Sequence, residues 1–211
     1  MKKLRRAATY LAALILSLGL AASAQAMPIN GSFSMDGGPG AGFTPTDALG
    51  NPTSLSTAVG IDFDPAGVGG TFDLSGVANG DYSGLTSGTT TTGTITDFVF
   101  NPLGGTINNF LTITDPDTLI VYSFDLQSVS IVLQTDSFLT LSATGIARAT
   151  GFDDTQATWN FSGQSAGGQT FSWSASLISE GEPTKVPEPS AMMLLGFGLV
   201  GLATWARRRE N

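Results

Sequence analysis

Ala157-Thr158-Trp159-Asn160-Phe161-Ser162, followed by Phe171-Ser172-Trp173-Ser174-Ala175-Ser176-Leu177, is the stretch on which the fold turns. In both runs the odd positions are apolar and the even ones polar. That is the period-two alternation of a half-buried strand, not the 3.6-residue period of a helix. Residues 163–168 between them are glycine-containing and supply a turn, so the pair reads as a hairpin with one aromatic and one hydroxyl face. Trp159 and Trp173 then point into the core.

Working upstream, residues 138–149 read as a strand interrupted by Gly145. Ile120, Tyr122, Phe124 and Leu126 share one phase, whereas Val129, Ile131 and Leu133 share the other. A bulge or tight turn is therefore expected at Gln127-Ser128. Earlier strand candidates are residues 29–35, 58–63, 70–74, 94–100 and 106–114. Residues 37–51 and 83–93 are poor in apolar side chains and read as long exposed loops. Nine or ten short strands with Gly-rich turns, and no convincing helix between the ends, predict an all-β domain over residues 27–180. An antiparallel β-sandwich is the leading expectation and a β-barrel the alternative.

Charge narrows the function classes. The chain has 211 residues and a formal net charge of −8. Seven of its nine basic residues lie near the ends (Lys2, Lys3, Arg5, Arg6, Arg207, Arg208, Arg209), leaving Arg148 and Lys185 against fifteen acidic residues between Asp36 and Glu182. Such a domain repels phosphate backbones, which excludes nucleic acid as a natural partner. Cysteine and histidine are both absent. Disulfides, thiolate and imidazole chemistry, Ser-His-Asp triads and ordinary zinc sites are thereby removed.

Residues 1–26 read as a secretory signal peptide: the basic Lys2-Lys3-Leu4-Arg5-Arg6, an apolar helix centred on residues 11–20, then Ala24-Gln25-Ala26. The small side chains of Ala24 and Ala26 suit signal peptidase, so cleavage is expected before Met27, after passage through the secretion translocon. An uncleaved anchor is the alternative, and either reading takes the middle of the chain out of the cytoplasm.

Residues 186–211 carry a second address. Val186-Pro187-Glu188-Pro189-Ser190 precedes an uncharged run over 191–206 and then Arg207-Arg208-Arg209. As a helix that run is about 24 Å long, against a hydrocarbon core of about 30 Å. Trp205 and the snorkelling arginines narrow the mismatch, and the positive-inside rule keeps the arginines cytoplasmic. Pro187 and Pro189 keep the stretch around Glu188 extended and open to a protease. Residues 181–185 form a short linker.

Motif, apolar helix and arginine cluster together resemble the PEP-CTERM sorting signal of Gram-negative bacteria. The resemblance covers about the last twenty-six residues. It implies recognition by an exosortase, cutting at or near the Pro-Glu-Pro, and transient anchoring in the inner membrane, with the cell surface or extracellular matrix as destination. Residues 60–65, 93–98 and 150–155 more loosely resemble ectodomain segments of such proteins, which implies a β-rich ectodomain without a defined activity.

Carboxylates are the remaining source of chemistry in the middle. Asp62/Asp64, Asp115/Asp117 and Asp153/Asp154 are local pairs beside Gly or Pro or within turn-like sequence. Aspartate in such places caps backbone N–H groups, which is the leading reading. A structural calcium ion is the second, since Asp62 and Asp64 project from one side of a strand. No other cofactor is expected. A glycosidase needs two carboxylates facing each other across a bond, at about 5 Å or about 6.5–9.5 Å, and local pairs do not supply that. The expected function is accordingly that of a non-catalytic surface or matrix protein associating with exopolysaccharide. A carbohydrate-binding module or a carboxylate-based glycan-active enzyme is the alternative.

Overall fold

The computed structural model describes residues 26–37, 42–63, 69–85, 92–165 and 171–181. All lie within one compact unit spanning Ala26–Pro183. The signal helix and membrane helix expected at the two ends fall outside the described residues. Among the described residues no helix is long and apolar enough to cross a membrane.

The elements are nearly all strands: β1 (Met27–Pro28), β2 (Asn30–Asp36), β3 (Thr44–Thr46), β4 (Gly60–Asp62), β5 (Gly70–Leu74), β6 (Asn79–Gly80), β7 (Thr92–Ile95), β8 (Phe98–Val99), β9 (Ile107–Thr114), β10 (Val121–Gln134), β11 (Phe138–Ala149), β12 (Phe152–Asp153), β13 (Thr155–Ser165) and β14 (Phe171–Glu180). Among the described residues one 3-10 turn, Leu55–Thr57, joins them.

Eight strands close on themselves in the order β2-β5-β7-β9-β10-β11-β13-β14, and β14 returns to β2. Every contact is antiparallel, so the chain runs up and down around a barrel. This corrects the leading expectation of a β-sandwich and realises the alternative. The deciding ladder joins Asp36↔Ser174 through Asn30↔Glu180, seven pairs that remove the edges a sandwich would keep. Alternation along each strand is the same in both architectures, so only this long-range pairing separates them.

The hairpin of β13 and β14 follows the expected register, Trp159↔Leu177 and Gly163↔Trp173. Ala157, Trp159, Phe161, Trp173, Ala175 and Leu177 are buried, and both tryptophans face the core. Eight strands leave an interior just wide enough for side chains to fill. Here aromatic rings fill it. Trp159 meets Phe110 edge-on at 5.0 Å, and Phe63 meets Trp173 at 5.1 Å.

Several of those rings come from outside the barrel wall. A small sheet, β3-β4-β8, and its flanks bring Phe43, Phe63 and Phe98 against Phe161, Trp173 and Trp159. The expectation of an exposed loop over 37–51 is thereby corrected: Thr44–Thr46 is a strand, and Phe43, Pro45 and Thr46 are buried. The segment is short in apolar residues, but Phe43 is placed where Gly163 leaves room for its ring. The loop expected over 83–93 is likewise narrowed, because Leu85 is buried and β7 begins at Thr92. The expected strand 94–100 divides into β7, which stays in the barrel, and β8, which joins the small sheet.

The phase change in β10 is a bulge within one strand. Leu126 pairs with Gly145 and Ser128 with Thr144, leaving Gln127 as the extra residue. Gly145 does not interrupt β11, which is continuous.

Near the ends of β2 and β14 the Tyr82 phenol is buried and shares a hydrogen bond of 2.7 Å with the Ser179 hydroxyl. Burial pushes its pKa from 10.0 up to about 12, the Ser179 bond partly opposing the rise. The folded state holds the proton more tightly than the unfolded chain. Its stabilising contribution is therefore whole below about pH 10 and is lost as pH rises from there through about 12, a loss on the order of 2 kcal/mol. Tyr122 is raised too, chiefly by burial, and adds to the decline. Thermal melts from pH 8 to 12 are expected to be level at first and then to fall, with Tyr82→Phe flattening the alkaline limb.

Candidate functional site

The carboxylates singled out in the sequence are dispersed. Asp62 ends β4 in the small sheet, whereas Asp64 lies outside the described residues. Asp115 is buried in the turn from β9 to β10, where its Oδ1 accepts the backbone N–H groups of Asp117 at 2.9 Å and Thr118 at 3.3 Å. A hydrogen bond from the Thr118 side chain, then those backbone donors, hold its carboxyl below the ordinary range. Asp117 is exposed. Asp153 closes β12 with its backbone carbonyl accepting the Thr155 hydroxyl, and Asp154 pairs with Arg148 Nε at 2.9 Å. The turn-capping reading therefore describes Asp115, and Asp154 serves an ion pair. Among the described residues no group of three or more acidic side chains is placed to hold a metal ion.

Other aspartates, not singled out in the sequence, act in the same way. Asp97 accepts N–H groups from Phe63 at 2.8 Å and Gly69 at 2.7 Å, tying two distant backbone points to one carboxylate. Asp47 caps the turn before Asn51, accepting from Leu49 and Asn51. Asp125 is buried, accepts the Asn109 N–H at 2.7 Å and pairs with Arg148, the one cation among the described residues. A local signal exists for Asp47, in Asp47-Ala48-Leu49-Gly50-Asn51. Asp97 and Asp125 have partners 16 to 34 residues away, and no local pattern marks them.

Outward-facing positions line up across strands into polar rows. One runs Ser130, Ser142, Asn160, Ser176, Ser34; another runs Ser128, Thr144, Thr158, Ile178, Ser32. Hydroxyls of Ser128 and Thr144 lie 2.7 Å apart, and Ser142 donates to the Asn160 amide oxygen at 3.0 Å. Over the second row lies a surface groove of about 440 Å³, lined by Thr144, Gln156, Ala157, Thr158, Ile178 and Glu180. Hydroxyl, amide and carboxylate groups share the groove with the aliphatic side chains of Ala157 and Ile178.

Of the targeting residues, Met27 opens β1, is exposed, and pairs with Phe152. Ala26 precedes it, half-buried. Ala24, the sorting residues Val186, Pro187, Glu188, Pro189 and Ser190, and the basic residues Arg207, Arg208 and Arg209 lie outside the described residues. β14 ends at Glu180, so the barrel is complete just before the tail begins.

No curated protein and no solved structure matches the chain. A family model, that of the PEP-CTERM protein-sorting motif, matches residues 185–209. That span contains the Pro-Glu-Pro, the apolar run and the arginine cluster. The chain thus carries a PEP-CTERM protein-sorting motif, a signal that implies export, anchoring through the C-terminal segment and an exosortase as processing partner.

Proposed function

We propose that this is a non-catalytic surface or matrix protein, in which the barrel is the delivered cargo and the tail is a temporary anchor. The signal peptide delivers the chain across the inner membrane, the helix over 191–206 holds it there, and the exosortase cuts at or near Pro187-Glu188-Pro189. The released barrel then associates with exopolysaccharide or the cell surface. The sorting motif at 185–209 carries this reading.

Two features of the barrel support it. Asp97, Asp115, Asp125 and Asp154 cap backbone N–H groups or pair with Arg148, structural tasks that suit a non-catalytic barrel. Its outer rows of hydroxyls and amides, and the groove bordered by Gln156 and Glu180, offer the multiple weak hydrogen bonds by which a neutral polymer is held. The reading calls for no cofactor.

Replacing Pro187-Glu188-Pro189 by three alanines is expected to leave an uncut, heavier chain in the inner-membrane fraction, while the native chain reaches the outer fractions at the mass of the processed form. Immunoblots of fractionated cells, with an epitope placed after Met27, read both mass and location. Unchanged mass and location would remove the exosortase from the account, and a cytoplasmic soluble chain would remove export.

A further inference from the structure

The chain enters and leaves the barrel at one end. Met27 pairs with Phe152, the Ile29 N–H donates to the Thr155 hydroxyl at 2.8 Å, and the Gly181 N–H donates back to the Ile29 carbonyl at 3.3 Å. The turn from β9 to β10 stands at the same end. Tyr122, just after it, donates to the Asp81 carbonyl at 2.7 Å, and the Asp81 N–H donates to the Asn30 carbonyl at 2.7 Å.

In that turn Leu119 has φ 59°, a left-handed conformation that glycine or asparagine takes readily and leucine does not. The turn is fixed around it. Asp115 N–H donates to the Ile120 carbonyl and Leu119 N–H to the Asp115 carbonyl, both at 2.9 Å, while the Asp115 carboxylate accepts from Asp117 and Thr118. Yet Leu119 is 74 % exposed, so the strained position brings the core almost no burial. Strain without packing points to a contact outside the fold. Met27 and Val121, 68 and 44 % exposed, add to the apolar surface at this end.

On the membrane-anchor reading given above, we propose that Leu119, with Met27 and Val121, rests on a zwitterionic lipid surface while the chain is tethered. Exposure alone does not choose this end, since Ile131, Val132, Leu133 and Phe138 are exposed at the other. The exit of the chain chooses it. Nine residues, 182–190, separate Gly181 from the apolar run at 191–206, and fully extended they reach only about 30 Å. Charge selects the headgroup. Asp117, Asp153, Asp154 and Glu180 are exposed at this end and Arg148 is engaged by Asp125 and Asp154, so an anionic surface is repelled and a zwitterionic one is not. Three side chains make a weak contact by themselves. A short tether raises the effective concentration to the order of mM, and cutting it removes that advantage, so the contact orients the barrel before cleavage and releases it afterwards.

The chain has no cysteine, so a single one can carry a label. The full chain is reconstituted in phosphatidylcholine vesicles with bimane at Val121→Cys, or at Ser137→Cys in the exposed turn of the opposite end. Spin-labelled phosphatidylcholine is expected to quench the label at 121 at least twofold more than the label at 137, and added phosphatidylglycerol is expected to lessen the difference. Leu119→Gly is expected to halve the quenching at 121 while the melting temperature holds or rises, because glycine relieves the strain and a damaged fold would melt lower. Equal quenching at 121 and 137, or a chain that floats with the vesicles and is not quenched at 121, would overturn the contact and leave the anchor standing. A chain that does not float would overturn both. Burial of the label that appears only at high protein-to-lipid ratio would give the surface to a second copy and likewise overturn the lipid contact.

Discussion

Trp159→Ala is expected to lower the stability of the barrel by about 3–5 kcal/mol, the range for deleting a large aromatic from a packed core. Trp159 is fully buried and stands at the junction of two sets of rings: Phe110 at 5.0 Å and Phe161 at 5.5 Å from the barrel wall, and Phe98 at 6.2 Å from the small sheet. Removing it leaves a void that rings held by three different elements cannot close together. For a domain of this size the melting temperature should fall by on the order of 10 °C. Trp159→Phe is the informative comparison. The indole Nε1 is buried with no hydrogen-bond partner among the described residues, so phenylalanine removes a donor without orphaning an acceptor. Its loss should be the smaller by at least half, as read by urea titration of the two variants. Equal losses would mean that the indole N–H contributes in a way its surroundings do not reveal.

Gly145→Val is expected to be as damaging for the opposite reason. A Cβ at position 145 would run into the backbone carbonyl oxygen of Asp125 and come within 2.8 Å of two ring carbons of Phe124. Both belong to β10, the strand that pairs with β11 beside the Gln127 bulge. A ring can turn aside, but a ladder carbonyl cannot move without opening the pairing, so the cost is put at about 3 kcal/mol or more. The expected outcome is loss of the cooperative unfolding transition or of soluble barrel, with Gly145→Ala intermediate. A valine variant that melts with the native protein would show that the bulge yields more easily than its pairing implies.

That glycine shows where local reading stops. In the sequence Gly145 looks like an interruption of an alternating run, because glycine weakens a strand seen in isolation. In the fold it is what allows β10 and β11 to approach at the bulge, and β11 passes through it unbroken. The bulge itself was legible, since the apolar phase inverts at Gln127-Ser128. β3 was not, because Thr44-Pro45-Thr46 has no alternation and is a strand only through its partner β4. The carboxylates divide in the same way. Capping by Asp115 follows from its own turn, whereas Asp97 and Asp125 act on backbone groups that the chain brings from elsewhere.

The sequence by itself determined the β class, the inward aromatic face of the β13–β14 hairpin, the exclusion of histidine and cysteine chemistry, and the sorting motif at 185–209. All of these rest on residue identity or on spacing within a few positions, where side-chain direction and charge act directly. Closure into a barrel and the insertion of Phe43, Phe63 and Phe98 into its core were decided only by tertiary structure. Each depends on which distant strand supplies the next row of hydrogen bonds. Period-two alternation places a side chain in or out, and it is silent about the neighbour.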